Sequence, residues 1–360
     1  MPIRHAATLA LLLAPLTALA QEPGPAAART PWTTIEPGGE TSCATGTPYA
    51  FHVKPGEGAD AAKLLIFLNG GGACWTGEQC DLGTEPTPYV PFVQLPANDP
   101  RGQQGVFDLG NPENPVANWT QVYAAYCTGD VHLGNRDATY ETADGREVTV
   151  RHRGRANVEA VLAWVYENVE TPERVVVAGS SAGAIAAPLY AAEVADHYPD
   201  VEIAAFADGA GGYRDATIAG LIETWGFWDG APEWAAGIDH ASATFEDIDA
   251  AAAKHAPKMR VVEYDSAYDS VQEMFLRLLG NQEPLYPLLQ QNRAEQAEAI
   301  PGFAGYTSRG TEHTLIRFDR LYTYEEEGVR AVDWFGDVAE GREAESVTCG
   351  EPEACGKEPE

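Results

Sequence analysis

The stretch Arg174-Val-Val-Val-Ala-Gly-Ser-Ser-Ala-Gly183 decides the fold class of this 360-residue chain. Its β-branched run is typical of a buried strand, and the alanine-rich residues 184–195 that follow are typical of a helix. The G-x-S-x-G pattern between them predicts a sharp turn that exposes the side chain of Ser181 above a sheet. The pattern alone also fits a flexible turn. Its place between a strand and a helix favours a turn that presents a nucleophile.

Further apolar runs predict the strands of a mostly parallel sheet. The strongest, Lys63–Leu68, is apolar after its first residue and is expected to be buried on both faces. The other predicted elements are strands at Tyr49–Val53, Gln121–Tyr126, Val201–Ala207 and Arg260–Tyr264, and helices over Arg155–Val169 and around Val271–Leu278. Alternating strands and helices predict an α/β fold, specifically an α/β-hydrolase-like, mostly parallel, doubly wound sheet with long loop insertions.

Three consecutive glycines follow the strongest strand, in Asn69-Gly-Gly-Gly-Ala-Cys-Trp75. Such a loop is either flexible or presents backbone N–H groups to a negatively charged oxygen, as in the glycine loop of esterases. Because this loop and the serine turn occur in the expected chain order, we favour the second interpretation. The candidate donors are the N–H groups of Gly71, Gly72 and Ala182, which would stabilise charge that develops in a transition state.

Candidate partners of the serine follow it along the chain. The α/β-hydrolase order is serine, acid, histidine, and His313 is the only histidine after Asp265. Asp265 follows a predicted strand, at the edge where open α/β sheets place their sites. Asp208, at the end of the preceding predicted strand, is a second candidate for the acid. Either aspartate could instead only cap a helix. Asp130 and His132 precede the serine, so a structural or pocket-lining role is predicted for them.

The N-terminal residues predict export. Residues 1–20 combine Arg4 with an apolar run that ends in Ala18-Leu19-Ala20, which is typical of a cleaved secretory signal. The run is shorter than the about 20 residues that a membrane span needs, and no other stretch is long and apolar enough for one. Residues 21–42 are predicted to form a flexible lead-in, 43–338 the catalytic domain and 339–360 an acidic tail. The protein is expected to be secreted or periplasmic.

Six cysteines lie after the predicted signal, and an even number in an exported chain indicates three disulfides. Their spacing favours the pairs Cys74 with Cys80, Cys349 with Cys355 and Cys43 with Cys127. Zinc is disfavoured because the sequence has no C-x-x-C and no histidine at ligand spacing beside a pair. No metal or organic cofactor is expected.

The net charge limits the possible binding partners of the protein. The formal net charge of −31 repels nucleic acid and anionic membranes, so neither is expected as a partner. The protein is expected to be a monomer.

Residues 76–120 are rich in proline and too long for a plain connection, which predicts a wall over the substrate. Residues 214–256 predict a helical insertion whose aromatic residues, including Trp225, belong to the core or to an acyl pocket.

Four motifs together resemble the pectin acetylesterase family, which also includes Notum, an enzyme that removes a fatty acyl group from a signalling protein. They are Phe67–Trp75, Gly105–Pro115, Cys127–Gly134 and Gly179–Gly183, and the likeness extends from about Cys43 to about Val338. The resemblance implies a secreted member of bacterial type, with Ser181 as nucleophile, Asp265 as acid and His313 as base. It also implies oxyanion donors at Gly71, Gly72 and Ala182.

The resemblance implies hydrolysis of an acyl ester through an acyl-enzyme, with an acetylated polysaccharide such as pectin as the expected substrate and Trp75, Asp130 and His132 as pocket residues. Gly72 stands where the animal enzyme has a large aromatic residue, which predicts a wider local pocket. The alternatives are an esterase for small acyl, lipid or polyester substrates, a peptidase or lipase, and a catalytically silent glycan-binding protein on a hydrolase scaffold.

Overall fold

Strands and helices alternate along the chain, as the hydrophobic runs predict. The computed structural model describes residues 31–83, 86–94 and 96–356. The strands are β1 Thr33–Ile35, β2 Phe51–Lys54, β3 Lys63–Leu68, β4 Thr120–Ala124, β5 Arg136–Glu141, β6 Glu147–His152, β7 Arg174–Ser180, β8 Glu202–Asp208, β9 Arg260–Ser266, β10 Ala304–Ser308, β11 Glu325–Glu326, β12 Val329–Arg330 and β13 Val347–Thr348. The helices are α1 Gly77–Cys80, α2 Gly154–Asn168, α3 Ala182–His197, α4 Ile218–Trp225, α5 Phe245–His255, α6 Ser270–Leu279, α7 Leu285–Ala299, α8 Arg320–Thr323, α9 Ala331–Ala339 and α10 Pro352–Cys355.

Nine of these strands form one sheet in the order β1-β2-β4-β3-β7-β8-β9-β10-β13. The pairs β1 with β2 and β2 with β4 are antiparallel, and every other pair is parallel. Strands β5 and β6 form a separate hairpin. The predicted fold class, a mostly parallel sheet flanked by helices in the manner of the α/β hydrolases, is therefore confirmed.

The central strands are apolar because both of their faces are covered. All side chains from Leu64 to Leu68 in β3 and from Val175 to Ala178 in β7 have no exposed surface. Helix α3 packs on β7 and β8, and half of its buried residues are alanine, including Ala186, Ala187 and Ala191. Small side chains let the helix backbone approach the sheet closely, which brings the serine turn tightly against the strand ends.

The two ends of the described chain differ from the prediction. Thr33–Ile35 lies within the expected flexible lead-in, yet it pairs with β2. Val347–Thr348 lies in the expected acidic tail, yet it pairs with β10 as the last strand of the sheet. Both are edge strands of two or three residues, too short for a hydrophobic pattern to reveal them. The predicted signal peptide, residues 1–20, lies outside the described residues.

Three disulfides are present, and they are the predicted ones: Cys43–Cys127, Cys74–Cys80 and Cys349–Cys355. Such bonds persist in oxidising compartments. Within the described ranges, no cluster of three or more histidine, cysteine, aspartate or glutamate residues could hold a metal ion. Nor does that part of the chain contain a helix of the length and hydropathy that crossing a bilayer requires.

Two glycines make the turn between β7 and α3 possible. An ideal Cβ on Gly183 would lie 2.0 Å from the carbonyl oxygen of Leu68, and one on Gly179 would lie 2.0 Å from the carbonyl oxygen of Gly183. Both obstacles are backbone atoms, which cannot rotate away as a side chain can. The turn is therefore closed to any residue with a side chain at these positions.

We predict that Gly183→Ala destabilises the fold by about 1–3 kcal/mol, because the new methyl group forces the turn away from the end of β3. The matched control is Gly220→Ala in α4, where an added Cβ meets no atom within 4 Å. The control should gain about 0.5–1 kcal/mol from the better helix propensity of alanine. Chemical denaturation without reducing agent measures both variants, and equal stabilities of the two would contradict the steric account.

Candidate active site

Ser181 has a strained backbone conformation at the sharp turn between β7 and α3. Its φ is 55° and its ψ is −121°, a conformation that costs a residue with a side chain about 1–3 kcal/mol. The surrounding structure enforces it, because the N–H of Ser181 donates to the carbonyl oxygen of Asp208 at 2.8 Å. The side chain of Ser181 remains partly exposed at the carboxyl end of the sheet.

Asp208 joins the serine turn to the loop that carries His313. Its Oδ2 accepts the hydroxyl of Ser180 at 2.6 Å and the N–H of Ile316 at 3.1 Å. Its Oδ1 accepts the N–H of Leu315 at 2.7 Å. Burial raises the pKa of Asp208 to about 6, but these three donors occupy both of its oxygens. Asp208, the rival candidate for the acid, is therefore an anchor for the histidine loop.

His313 lies beside the serine turn with one nitrogen held and the other free. Its Nδ1 lies 2.6 Å from Oδ2 of Asp269. Its Nε2 is buried and has no hydrogen-bond partner within the described residues. An ideal Cβ on Gly209 would lie 3.4 Å from Cε1 of the ring, and Gly209 follows the residue whose carbonyl binds Ser181. The ring and the serine are thus neighbours, and both border one cleft.

The structure corrects the assignment of the acid. Asp265, the predicted partner of His313, instead accepts the N–H of Gly211 at 3.0 Å and pairs with Arg293 at 3.0 Å. It lies inside β9, which extends to Ser266 rather than ending at Tyr264 as predicted. The carboxylate that contacts the ring of His313 lies four residues further along the chain than Asp265. The carboxylate found there is that of Asp269, which the sequence prediction missed.

Asp269 is fixed by the start of α6. Its Oδ1 accepts the N–H groups of Val271 at 2.9 Å and Gln272 at 3.0 Å, so it caps this helix. The positive end of the helix dipole stabilises a negative charge at this position. The available sequence signal was an aspartate directly before an apolar helical pattern, which is ordinary for a helix cap. That signal predicts a helix cap but does not show that the same carboxylate also contacts a histidine.

Gln272 connects the two aspartates. Its Nε2 donates to Oδ1 of Asp265 at 2.8 Å and to Oδ2 of Asp269 at 3.2 Å, while its Oε1 accepts the N–H of Gly212 at 3.0 Å. Both amide protons and the carbonyl are therefore used, and the side chain is fully buried. Asp265 does not contact His313 directly. It binds Gln272, and Gln272 binds Asp269, which contacts the ring.

The glycine loop lies against the serine. An ideal Cβ on Gly70 would lie 2.7 Å from the Cβ of Ser181. The carbonyl of Gly71 accepts the N–H of Val90 at 2.7 Å, and that of Gly72 accepts the hydroxyl of Tyr126 at 2.8 Å. These bonds hold the loop by its carbonyls. The N–H groups of Gly71, Gly72 and Ala182 have no partner within the described part of the chain.

Two cavities meet at Ser181. The larger, about 770 Å³, is an open cleft between the glycine loop, α6 and the residues 311–320 around His313. Residues 78–79 and 86–90 form one side of it, so the long loop is a wall of the cleft, as predicted. The smaller cavity, about 40 Å³, is apolar and is bordered by Trp75, Trp225 and Phe275. Trp75 was predicted as a pocket residue, and Trp225 was one of the aromatic candidates.

An aromatic ring lies beside Gly72 at the border of this smaller cavity. An ideal Cβ on Gly72 would lie 3.2 Å from the ring of Phe275 and 1.9 Å from the carbonyl oxygen of Pro88. Phe275, on α6, thus occupies the space beside the glycine. This ring comes from a helix distant in sequence, so the lack of an aromatic side chain at position 72 does not leave that space empty. A pocket wider than that of the animal enzyme stays a prediction.

Asp130 and His132 do not border either cavity. Both are buried, with at most 1% of their surface exposed. Asp130 accepts the N–H of Gly154 at 2.8 Å at the start of α2. His132 lies 2.8 Å, through Nε2, from the carbonyl oxygen of Asn69, and burial lowers its pKa to about 4. Their assignment as pocket residues is therefore corrected. Asp130 binds the start of α2, and His132 binds the residue before the glycine loop.

Comparisons with known proteins point to one family. A family model described as pectinacetylesterase matches residues 28–222, more than half of the chain. Pectin acetylesterase 4 of Arabidopsis thaliana is 26% identical over 177 residues, which cover 46% of this chain and 40% of the relative. Pectin acetylesterase 5 of the same plant is 25% identical over 174 residues, covering 46% and 38%.

A further similarity is to palmitoleoyl-protein carboxylesterase notum2 of Xenopus laevis, at 28% identity over 146 residues, which cover 39% of this chain and 28% of the relative. The chain spans less than half the length of these three relatives. They come from a plant and a frog, so they lend no support to the expected bacterial type.

Proposed function

Because the chain belongs to the pectinacetylesterase family, we propose that it is an exported serine carboxylesterase that removes acetyl groups from an acetylated polysaccharide. The observation that carries the proposal is the meeting of Ser181, His313 and unpaired backbone N–H groups at the end of one cleft. The relatives named pectin acetylesterase support the acetyl ester. The three disulfides support export, because they form in oxidising compartments.

In the proposed mechanism Nε2 of His313 takes the proton of Ser181 as the hydroxyl oxygen attacks the ester carbonyl. Asp269 holds the ring through Nδ1 and stabilises its positive form. The N–H groups of Gly71, Gly72 and Ala182 bind the oxyanion of the tetrahedral intermediate. His313 then protonates the departing alcohol, which leaves an acetyl group on Ser181. Water, activated by the same nitrogen, releases acetate and restores the serine.

The size of the apolar cavity favours a short acyl group. A cavity of about 40 Å³ has room for roughly three water molecules, which suits an acetyl group better than a fatty chain. The cavity lies beside Ser181 and Ala182, where the acyl part of an ester would enter. The open cleft of about 770 Å³ would receive the alcohol part, and its size suits several sugar units.

A second candidate is an esterase for apolar substrates, such as a polyester or a lipid. It is favoured by Met274 and Leu278 on α6, which border the cleft with 46% and 41% of their surface exposed. Release of acid from tributyrin and polycaprolactone, set against acetate release from acetylated xylan and pectin, separates the two candidates. Faster turnover of the apolar esters would favour the second.

We predict that the wild-type protein releases a burst of 4-nitrophenolate from 4-nitrophenyl acetate, since the acyl-enzyme forms before it is hydrolysed. Ser181→Ala should abolish the burst and lower kcat by at least about 10⁴-fold. Ser242→Ala is the matched control, because it removes an exposed serine hydroxyl that does not border the cleft. Turnover that survives in Ser181→Ala would end the proposal and leave the silent binding scaffold as the better account.

The same assay tests the corrected acid. Asp269→Asn should lower kcat by about 10⁴-fold, because an amide cannot hold the required tautomer of His313. Asp265→Asn should lower it much less, since Asp265 acts only through Gln272. Equal losses in the two variants would contradict the assignment of Asp269.

We also predict a sharp limit on acyl length. The value of kcat/KM should fall by more than about tenfold from 4-nitrophenyl acetate to the octanoate, because each added methylene group needs room that the cavity lacks. Leu221→Ala enlarges the cavity and should raise activity on the butyrate relative to the acetate. A wild-type preference for octanoate would rule out the proposed acyl pocket.

A further inference from the structure

Arg317 is an arginine of the cleft that lacks an acidic partner. Its Nη1 donates to Oδ1 of Asn69 at 2.8 Å, and its guanidinium lies 5.1 Å from the ring centre of Phe318. No carboxylate lies within ion-pair distance of it in the described ranges. Arg320, the other arginine of the cleft, pairs with Glu312 at 2.7 Å. In a chain of net charge −31, an unpaired guanidinium at this position needs an explanation.

The acceptor that holds Arg317 is itself rigid. Asn69 is fully buried, and its Nδ2 donates to the carbonyl of Ala97 and to Oδ1 of Asn98, both at 2.8 Å. Because both amide protons of Asn69 are used in these bonds, the orientation of its side chain is fixed and its Oδ1 faces the guanidinium of Arg317. Asn69 also directly precedes the glycine loop, so the guanidinium is attached to the strand end that delivers the proposed oxyanion donors.

On the premise of the proposed esterase, we propose that Arg317 binds a carboxylate on the alcohol part of the substrate. A guanidinium presents a planar fork of N–H donors that matches a carboxylate at two points. Arg317 borders the large cleft and not the acyl cavity, so the carboxylate belongs to the sugar and not to the acyl group. Arg317 would therefore make the enzyme prefer an acetylated sugar chain that carries carboxylates over a neutral one.

The overall charge does not oppose this pairing. Repulsion between a polyanion and the acidic surface acts over distance and is screened beyond about 10 Å at 0.1 M salt. A partly buried guanidinium in direct contact with its carboxylate is screened much less. Two acidic residues, Glu78 and Glu312, also border the cleft. The first accepts the N–H of Ala143 and the second pairs with Arg320.

The test compares kcat/KM for two acetylated oligosaccharides of equal length, an acidic oligogalacturonide and a neutral cello-oligosaccharide. Arg317→Gln is expected to lower the acidic-to-neutral ratio about 10- to 100-fold, chiefly through KM, since it removes a charge-assisted contact. Arg317→Lys should restore part of the ratio because it keeps the charge without the fork. The matched control is Arg277→Gln, which removes an exposed, unpaired arginine of α6 outside the cleft.

An unchanged ratio in Arg317→Gln would overturn the proposal. So would an equal loss on both oligosaccharides, which would indicate that Arg317 only supports Asn69 and the glycine loop. A loss of the same size in Arg277→Gln would point to general surface charge instead. Hydrolysis of 4-nitrophenyl acetate by the wild type is measured in parallel. Its absence would refute the proposed esterase, whereas its presence with an unchanged ratio would refute only the carboxylate site.

Discussion

The buried carboxylate of Asp208 holds the two halves of the candidate site together. Its side chain accepts one donor from the serine turn, the hydroxyl of Ser180, and two from the histidine loop, the N–H groups of Leu315 and Ile316. Its own carbonyl oxygen accepts the N–H of Ser181. One residue at the end of β8 thus fixes the strained serine turn and the loop that brings the imidazole of His313 beside it. Because these contacts are short and buried, they leave the site little freedom to rearrange.

Three aspartates stand near the carboxyl ends of neighbouring strands, and each has a different task. Asp208 anchors the histidine loop, Asp265 binds Arg293 and Gln272, and Asp269 caps α6 and contacts His313. Their neighbours along the chain look alike, since both Asp265 and Asp269 are followed by serine. What separates them is the length of β9 and the direction in which α6 starts. Neither feature is encoded in the hydrophobic pattern, so sequence reasoning chose a carboxylate that does not contact His313.

The larger features were predictable because they depend on local rules. Lys63–Leu68 was predicted to the residue because a strand buried on both faces is apolar almost throughout. The serine turn was predictable because only glycine fits beside the backbone at positions 179 and 183. The partner of Arg317 and the ring that fills the space at Gly72 were not predictable. Both are contacts between residues far apart in sequence, from Asn69 to Arg317 and from Gly72 to Phe275.

The central claim is that Ser181, His313 and the N–H groups of Gly71, Gly72 and Ala182 act together on one ester carbonyl group. A crystal structure of the protein after reaction with a 4-nitrophenyl methylphosphonate ester tests it most directly. The account predicts phosphorus bonded to Oγ of Ser181, with the methyl group in the apolar cavity and the phosphonyl oxygen accepting from those N–H groups. It also predicts Nε2 of His313 within hydrogen-bond reach of Oγ, about 2.6–3.2 Å. Phosphonylation at another residue, or a phosphonyl oxygen turned away from the glycine loop, would contradict it.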